Sequence, residues 1–222
     1  SLSKVEFHRP LWKAAGMTLH ILVTGGSRGI GAAIVDELSD DNVLVHATSS
    51  AHGDLSEPTV PSEIWHSALQ EMGGRIDVLI NNAGVFEANP IDLSDIEWLD
   101  GWERTMAINL TASAQLCRLA ILHWQALGQE GRIINVASRA AYRGDSPAHW
   151  HYAASKGGRV AMTKSIARGF AAQQIYAFAI CPGFTMTGMA EDYLASRGGD
   201  KLLADIPLGR VAMPDEVATL VR

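Results

Sequence analysis

The sequence predicts an α/β fold: a single domain built on a doubly wound parallel sheet with helices on both faces. Two observations predict it. Short apolar runs alternate with longer amphipathic ones along nearly the whole chain, and the first strand-like run ends in a glycine-rich turn that opens a helix-like run. Alternating strands and helices of this kind are parallel strands joined by helical crossovers. The 222 residues are enough for one substantial core and few for two domains.

Taken in order, the first strand is expected over His20–Val23, a helix from about Ile30 to Leu38, and a second strand over Val43–Ala47. A helix over Ser62–Met72 follows, with Ser62 as its N-cap. Val78–Ile80 is a short apolar strand closed by Asn81-Asn82-Ala83-Gly84. Trp102–Leu127 is a long helix with an apolar stripe, Arg132–Val136 a strand, Tyr152–Phe170 a helix, and Ile175–Ile180 a strand closed by Cys181-Pro182-Gly183. Two gaps disturb the pattern. Only three residues lie between Ser50 and Asp54, where a doubly wound sheet normally places a helix and a further strand. The chain also stops at Arg222 inside a helix-like run, where domain 17–222 would be expected to continue into a final strand; both gaps are read either as natural trimming or as residues outside this sequence. Residues 1–16 look unlike the rest. They are read as a natural extension or an expression remnant and excluded from the fold argument.

Composition narrows the function classes. The formal net charge of -6 argues against nucleic acid or an anionic membrane as the main partner, since both need clustered Lys and Arg. A small anionic ligand needs only a helix N-terminus and a basic residue or two. No apolar stretch is expected to span a membrane, and the first residues lack a signal-peptide core. The two cysteines, Cys117 and Cys181, lie in apolar runs outside any zinc spacing. They read as small buried hydrophobes in a reducing cytosol, which makes the expected location cytoplasmic and the expected metal set empty.

Two motifs carry chemistry. Thr24-Gly25-Gly26-Ser27-Arg28-Gly29-Ile30-Gly31 joins a strand to a helix, with glycines at 25, 29 and 31. Glycine takes positive φ and lets a pyrophosphate approach the backbone, while the helix N-terminus offers unpaired N–H groups. This is a wider-spaced variant of the dinucleotide fingerprint; a glycine-rich connection without a ligand is the alternative. No P-loop nucleotide motif is present. Tyr152 and Lys156 are four apart on a helix and so share a face. An ammonium near a phenol stabilises the phenolate and brings proton exchange towards neutral pH. Such a pair alone is usually an ordinary exposed one. Ser138, however, follows a strand at the sheet end where ligands bind, and its hydroxyl is suited to hydrogen-bond a carbonyl oxygen. Asn109 stands as a poor helix former inside a long helix; it is either an ordinary amide or part of a relay.

TGGSRGIG, Asp54-Leu55, NNAG at 81–84, Asn109, Ser138, YAASK at 152–156 and Pro182-Gly183 together resemble, in order, the motifs of the short-chain dehydrogenase/reductase family, from about Leu19 to Arg222. The resemblance implies a Rossmann fold and an NAD(P)-dependent oxidoreductase acting on CH–OH groups, similar to 3-oxoacyl-thioester reductases. It implies a catalytic tetrad of Asn109, Ser138, Tyr152 and Lys156. Tyr152 would be the general acid or base, Ser138 would polarise the carbonyl, Lys156 would bind the nicotinamide ribose and lower the Tyr152 pKa, and Asn109 would hold a relay water. The cofactor would be lined by Gly25, Ser27, Arg28, Ile30, Gly31, Ser49, Asp54, Leu55, Asn82, Ala83, Gly84, Tyr152, Lys156, Pro182, Gly183 and Thr187. Asn81 is expected to brace the sheet instead.

NADP(H) is favoured over NAD(H) on charge. The second strand ends His46-Ala47-Thr48-Ser49-Ser50, without the carboxylate that would bond a ribose 2′-OH and repel a 2′-phosphate, and Arg28 is placed to pair with that phosphate. The substrate side is expected to include Ser138, Tyr152, His149 and Phe184. A lid over 184–209 carries Met186, Met189, Tyr193 and Leu194, and Arg139 is either a substrate partner or a surface residue. The family resemblance also implies a homotetramer or homodimer. Ala112, Leu116, Leu119, Ala120, Ala161 and Ile166 fit such an interface and fit an internal core equally well. The competing functions are an NAD-dependent alcohol or sugar-alcohol dehydrogenase and a non-catalytic nucleotide-sensing regulator.

Overall fold

The computed structural model describes residues 18–187, 203–204 and 206–222. The N-terminal extension and the expected lid residues Met189, Tyr193 and Leu194 lie outside the described residues.

Five parallel strands form one sheet: β1 (Leu19–Thr24), β2 (Val43–Ala47), β3 (Val78–Asn81), β4 (Gly131–Val136) and β5 (Ile175–Ile180). Their spatial order is β2-β1-β3-β4-β5. Leu19 pairs with Val43, Ile21 with Val78, Val78 with Arg132 and Gly131 with Ile175. The winding reverses between β1 and β3, and a crevice opens beyond their carboxyl ends at such a reversal.

Side chains alternate across the sheet. Leu22, Leu79 and Ile133 face one layer, made by α2 (Val60–Glu71), α4 (Ala112–Leu127) and α6 (Trp150–Phe170). Ile21, Val23 and Ile80 face the other, made by α1 (Gly29–Glu37) and α7 (Pro214–Ala218). Helices on both faces explain why the strands read as nearly continuous apolar runs. Two further helices are α3 (Asp95–Met106) and the single turn α5 (Ala140–Arg143).

The strand assignments hold to within a residue or two, and the helix starts do not all hold. The helix after Thr59 begins at Val60 with Pro61 in its first turn, so Ser62 lies inside it rather than at its cap. The long helix begins at Asp95, not Trp102: Ser94 and Glu97 form a reciprocal capping box. A π-helical turn, Ala107–Thr111, then joins α3 to α4. Asp95–Leu127 as a whole is 33 residues long and apolar enough, by length and composition alone, to cross a membrane. This corrects the expectation that no stretch approaches a span. Half of its most apolar window is nevertheless buried, and Leu116, Ala120 and Trp124 pack on the sheet as core.

The short connection before Asp54 holds neither a helix nor a strand. Ser49 caps a 3-10 turn, Ser50–His52, by accepting from the Ala51 N–H at 3.3 Å, and Gly53 turns the chain at φ 131°. β2 is therefore an edge strand, and β5 forms the other edge among the described residues. Ala112, Leu116, Ala120 and Ile166 lie in the chain's own core with Leu119 against it, which supports the internal reading of that run; Ala161 is exposed.

Candidate active site

The glycine turn sits at the reversal point. Gly25 takes φ +68°, and a Cβ there would stand 2.9 Å from the Ala83 Cα; Gly29 takes φ +54°. A methyl group on Gly31 would collide with the Gly25 carbonyl oxygen. No side chain caps α1 and no acidic residue occupies its first turn. Its first N–H groups are thus left for an anion, where the helix dipole favours negative charge. This cradle, closed to any Cβ and free of carboxylates, fits a dinucleotide pyrophosphate. Ser27 and Arg28 are exposed around it, and the Ile30 side chain packs into the core below. Thr187 arrives from the far end of the chain: a Cβ at Gly29 would lie 3.2 Å from its methyl.

The loop after β3 is tied to the turn. Thr24 Oγ1 accepts from the Asn82 and Ala83 N–H groups, both at 3.1 Å, and the Asn82 side-chain amide donates to the Thr24 and Gly25 carbonyls at 3.1 and 2.9 Å. Asn82 therefore holds the cradle's shape through its side chain. Asn81 donates to Asn135 at 2.9 Å in the core, the bracing role expected of it. Asp54 is half exposed and paired with Arg104 at 3.1 Å; its carboxyl is held below the usual range first by the Ser56 N–H, then by the Ser56 hydroxyl and Arg104. Leu55 packs against the core.

Deeper in the crevice, Tyr152 stands on the first turn of α6. The Ser138 side chain acts on its phenol in the direction that favours the charged form. The Ser138 oxygen already accepts from the Ala140 N–H at 3.1 Å, which leaves its O–H free to donate. Phe86 meets the Tyr152 ring edge-on at 4.8 Å and stacks on His149 at 4.0 Å. His149 is buried, with its Nδ1 2.7 Å from the Ser146 hydroxyl. Phe184 sits 5.8 Å under the Arg139 guanidinium. Lys156 Nζ lies 5.6 Å from the Tyr152 ring centre and donates to the Val136 carbonyl at 3.1 Å. Gly84 permits this: a Cβ there would stand 3.3 Å from Nζ. Cys181, Pro182 and Gly183 close β5, and the Pro182 carbonyl accepts from the Arg139 N–H at 2.9 Å.

Burial and neighbouring charges set the proton energetics. Burial raises the Tyr152 pKa above its ordinary value; the Ser138 hydrogen bond opposes this, Asp145 adds to it, and Arg159 opposes it. Burial, and then the charge of Arg159, push the Lys156 pKa well down. Asn109 stands at the back of the site. It is fully buried in the π turn, and its amide is spent on the Val85 N–H at 2.8 Å, the Val85 carbonyl at 3.0 Å and the Ser155 hydroxyl at 3.2 Å. Its carbonyl accepts from Arg159 Nε at 2.9 Å. Asn109 thus braces the π turn against the loop after β3 and against α6.

Phe86 and Arg159 escaped the sequence reading. Arg159 had a signal: it follows Tyr152 by seven residues and Lys156 by three, the spacing of one helix face. Phe86 had none beyond its place two residues after the NNAG loop. Cys117 is buried, its thiol pushed up to about 11 by that burial. Among the described residues no cluster of His, Cys, Asp or Glu could hold a metal ion.

Comparison with known proteins agrees with this geometry. A family model described as enoyl-(acyl carrier protein) reductase matches residues 45–222. A 3-oxoacyl-[acyl-carrier-protein] reductase of Vibrio cholerae is 32% identical over 219 residues, spanning 90% of this chain and 86% of that protein. An acetoacetyl-CoA reductase of Shinella zoogloeoides is 31% identical over 218 residues, spanning 90% and 88%. A solved structure from Beutenbergia cavernae, described as an NAD(P) dependent gluconate 5-dehydrogenase with NADP bound at low occupancy, superimposes with a TM-score of 0.80. It has 27% identity and covers 92% of this chain and 88% of its own.

Proposed function

Because the chain belongs to the short-chain dehydrogenase/reductase family of NAD(P)-dependent oxidoreductases, we propose that it reduces the carbonyl of a 3-oxoacyl thioester or a related ketone with NADPH, using Tyr152 as the proton donor. The observation that carries this reading is the placement of Tyr152, with Lys156 Nζ 5.6 Å from its ring centre and Gly84 against that Nζ, in the crevice beside the glycine cradle.

The first turn of α1 would hold the pyrophosphate, and Gly84 and Lys156 would border the nicotinamide ribose. NADPH, when bound, supplies the hydride. Negative charge then develops on the substrate oxygen; the Ser138 O–H donates a hydrogen bond to it, and the Tyr152 O–H transfers its proton. The raised phenol pKa suits this direction, since the acid is then fully protonated at neutral pH. The preference for NADP rests on the exposed Arg28 and on a β2 end without a carboxylate, and the NADP bound by the Beutenbergia cavernae protein supports it. The thioester substrate class rests on the names of the relatives. A homotetramer or homodimer in the cytoplasm remains part of the proposal.

The test is NADPH oxidation with acetoacetyl-CoA by the wild type and by Tyr152→Phe. Turnover should fall by about a hundredfold or more, the size of a general-acid contribution, while NADPH binding persists. Undiminished turnover in Tyr152→Phe would reject the assignment.

A further inference from the structure

The backbone that follows Ser138 is pinned from two sides. The Arg139 N–H donates to the Pro182 carbonyl at 2.9 Å, and the Arg139 carbonyl accepts from the Tyr142 and Arg143 N–H groups at 3.0 and 3.2 Å. The loop after β4 and the loop after β5 are thereby fastened together at the carboxyl edge of the sheet, where the crevice opens. Arg139 is half-buried there, and its guanidinium rests over the Phe184 ring, 5.8 Å from the centre. Main chain and side chain of Arg139 thus lie against the same segment, Pro182-Gly183-Phe184. Arg139 and these three residues line one open cleft.

A guanidinium over an aromatic face keeps its in-plane N–H donors for other groups. Among the described residues no carboxylate pairs with Arg139. The other arginines of the cleft differ: Arg132 pairs with Glu130 at 3.5 Å, Arg210 with Glu216 at 2.7 Å and Arg222 with Glu37 at 3.3 Å. Glu216, the carboxylate on the cleft wall, is taken up by both terminal nitrogens of Arg210. A half-buried cation without a partner carries a desolvation cost that an incoming anion offsets. Ser138 is the preceding residue, and adjacent Cα atoms are about 3.8 Å apart. An anion on the Arg139 guanidinium therefore lies only a few carbon atoms from a carbonyl held by Ser138. That spacing fits the carboxylate of a short oxo acid. It does not fit the phosphates of a thioester carrier, which a whole pantetheine arm separates from the carbonyl.

We propose that Arg139 determines substrate choice: it binds the carboxylate of a short oxo acid whose ketone lies against Ser138 and Tyr152, so that the site selects the free acid over a neutral ketone of the same size. The proposal rests on the carbonyl-reductase reading. Among the ketones which that reading admits, it selects those with a carboxylate a few carbons from the carbonyl. Arg139 takes no part in the hydride or proton transfer. Its fork of donors matches two carboxylate oxygens at once, so it orients the ketone as well as holding it.

Titration calorimetry on the protein saturated with oxidised NADP tests this, since an oxidised nucleotide cannot reduce the ligand and binding alone is read. The ligands are acetoacetate and levulinate, with one and two carbons between ketone and carboxylate, each beside its methyl ester. At least one acid should bind about ten- to a hundredfold more tightly than its ester, the range of a charge-assisted pair. Arg139→Met should abolish that difference. Arg139→Lys keeps the charge without the fork and should retain part of it. Acids that bind no more tightly than their esters, or not at all, overturn the proposal, and so does an acid preference that survives Arg139→Met. If Arg139→Met does not fold, Arg139→Gln gives the same reading. The calorimetry involves no proton transfer, whereas the carbonyl-reductase reading stands or falls on turnover by Tyr152→Phe, so the two can fail separately.

Discussion

Gly31, on the first turn of α1, lies so close to the carbonyl oxygen of Gly25 that no Cβ fits between them. The contact fixes the angle at which the helix leaves the strand, and with it the aim of the unpaired N–H groups. Gly31→Ala should destabilise the fold by about 1–3 kcal/mol, the usual range for overpacking. It should also weaken NADPH binding, because the obstruction is backbone and cannot swing aside. Thermal melts and a fluorescence titration with NADPH check both effects; unchanged NADPH affinity would show that the cradle is not the phosphate site.

Arg28 precedes α1 in extended conformation, at its N-cap position, with its side chain exposed and making no cap hydrogen bond. A charge-assisted bond to a 2′-phosphate at an exposed site is worth about 1.4 kcal/mol, close to tenfold. Arg28→Ala should therefore raise the dissociation constant of NADPH about tenfold and leave that of NADH nearly unchanged. Equal losses for both nucleotides would place Arg28 at the shared pyrophosphate.

Phe86 stands between Tyr152 and His149, touching one ring by its edge and the other by its face. Each aromatic contact is worth about 0.5–1.5 kcal/mol beyond burial. Phe86→Leu keeps most of the volume and loses both geometries. Its kcat on acetoacetyl-CoA should fall by roughly tenfold with little change in NADPH affinity, since the ring orients the phenol and lies outside the cradle.

Stability should decline in mild acid. The pKa values of His151 and His123 are both lowered, first by burial, so each imidazole binds protons more readily unfolded than folded. Their contribution is present above the ordinary imidazole range and is lost as the pH falls through it. Melting temperatures between about pH 8 and about pH 5 should drop on the acid side, and His151→Gln should flatten part of that slope. A slope unchanged in His151→Gln would assign the loss to other groups.

Much of the architecture was legible in the residues because its causes are local. The period of apolar residues marks strands and helices wherever packing is one-sided, and all five strands were placed within a residue or two. The start of α3 was missed because its capping box, Ser94 with Glu97, precedes a weakly apolar stretch. The π turn at Ala107–Thr111 has no periodic signature at all. At the site, Gly25, Gly31, Ser138, Tyr152 and Lys156 were found from motif spacing and do converge on one crevice. Asn109 was found, but its bonding was not readable from spacing, since Val85, Ser155 and Arg159 reach it from three other segments.

The sequence by itself determined the layered parallel sheet, the glycine cradle and the phenol-bearing helix, for these follow from local periodicity and from residues whose role is fixed by their own stereochemistry. Tertiary structure alone decided the partners of the buried Arg159. Val136, Asn81 and Ala83 are distant in sequence from Arg159, and their carbonyls meet its guanidinium only once the strands are side by side. The burial that pushes the Lys156 pKa down and the Tyr152 pKa up follows from packing across the core that no spacing along one helix specifies.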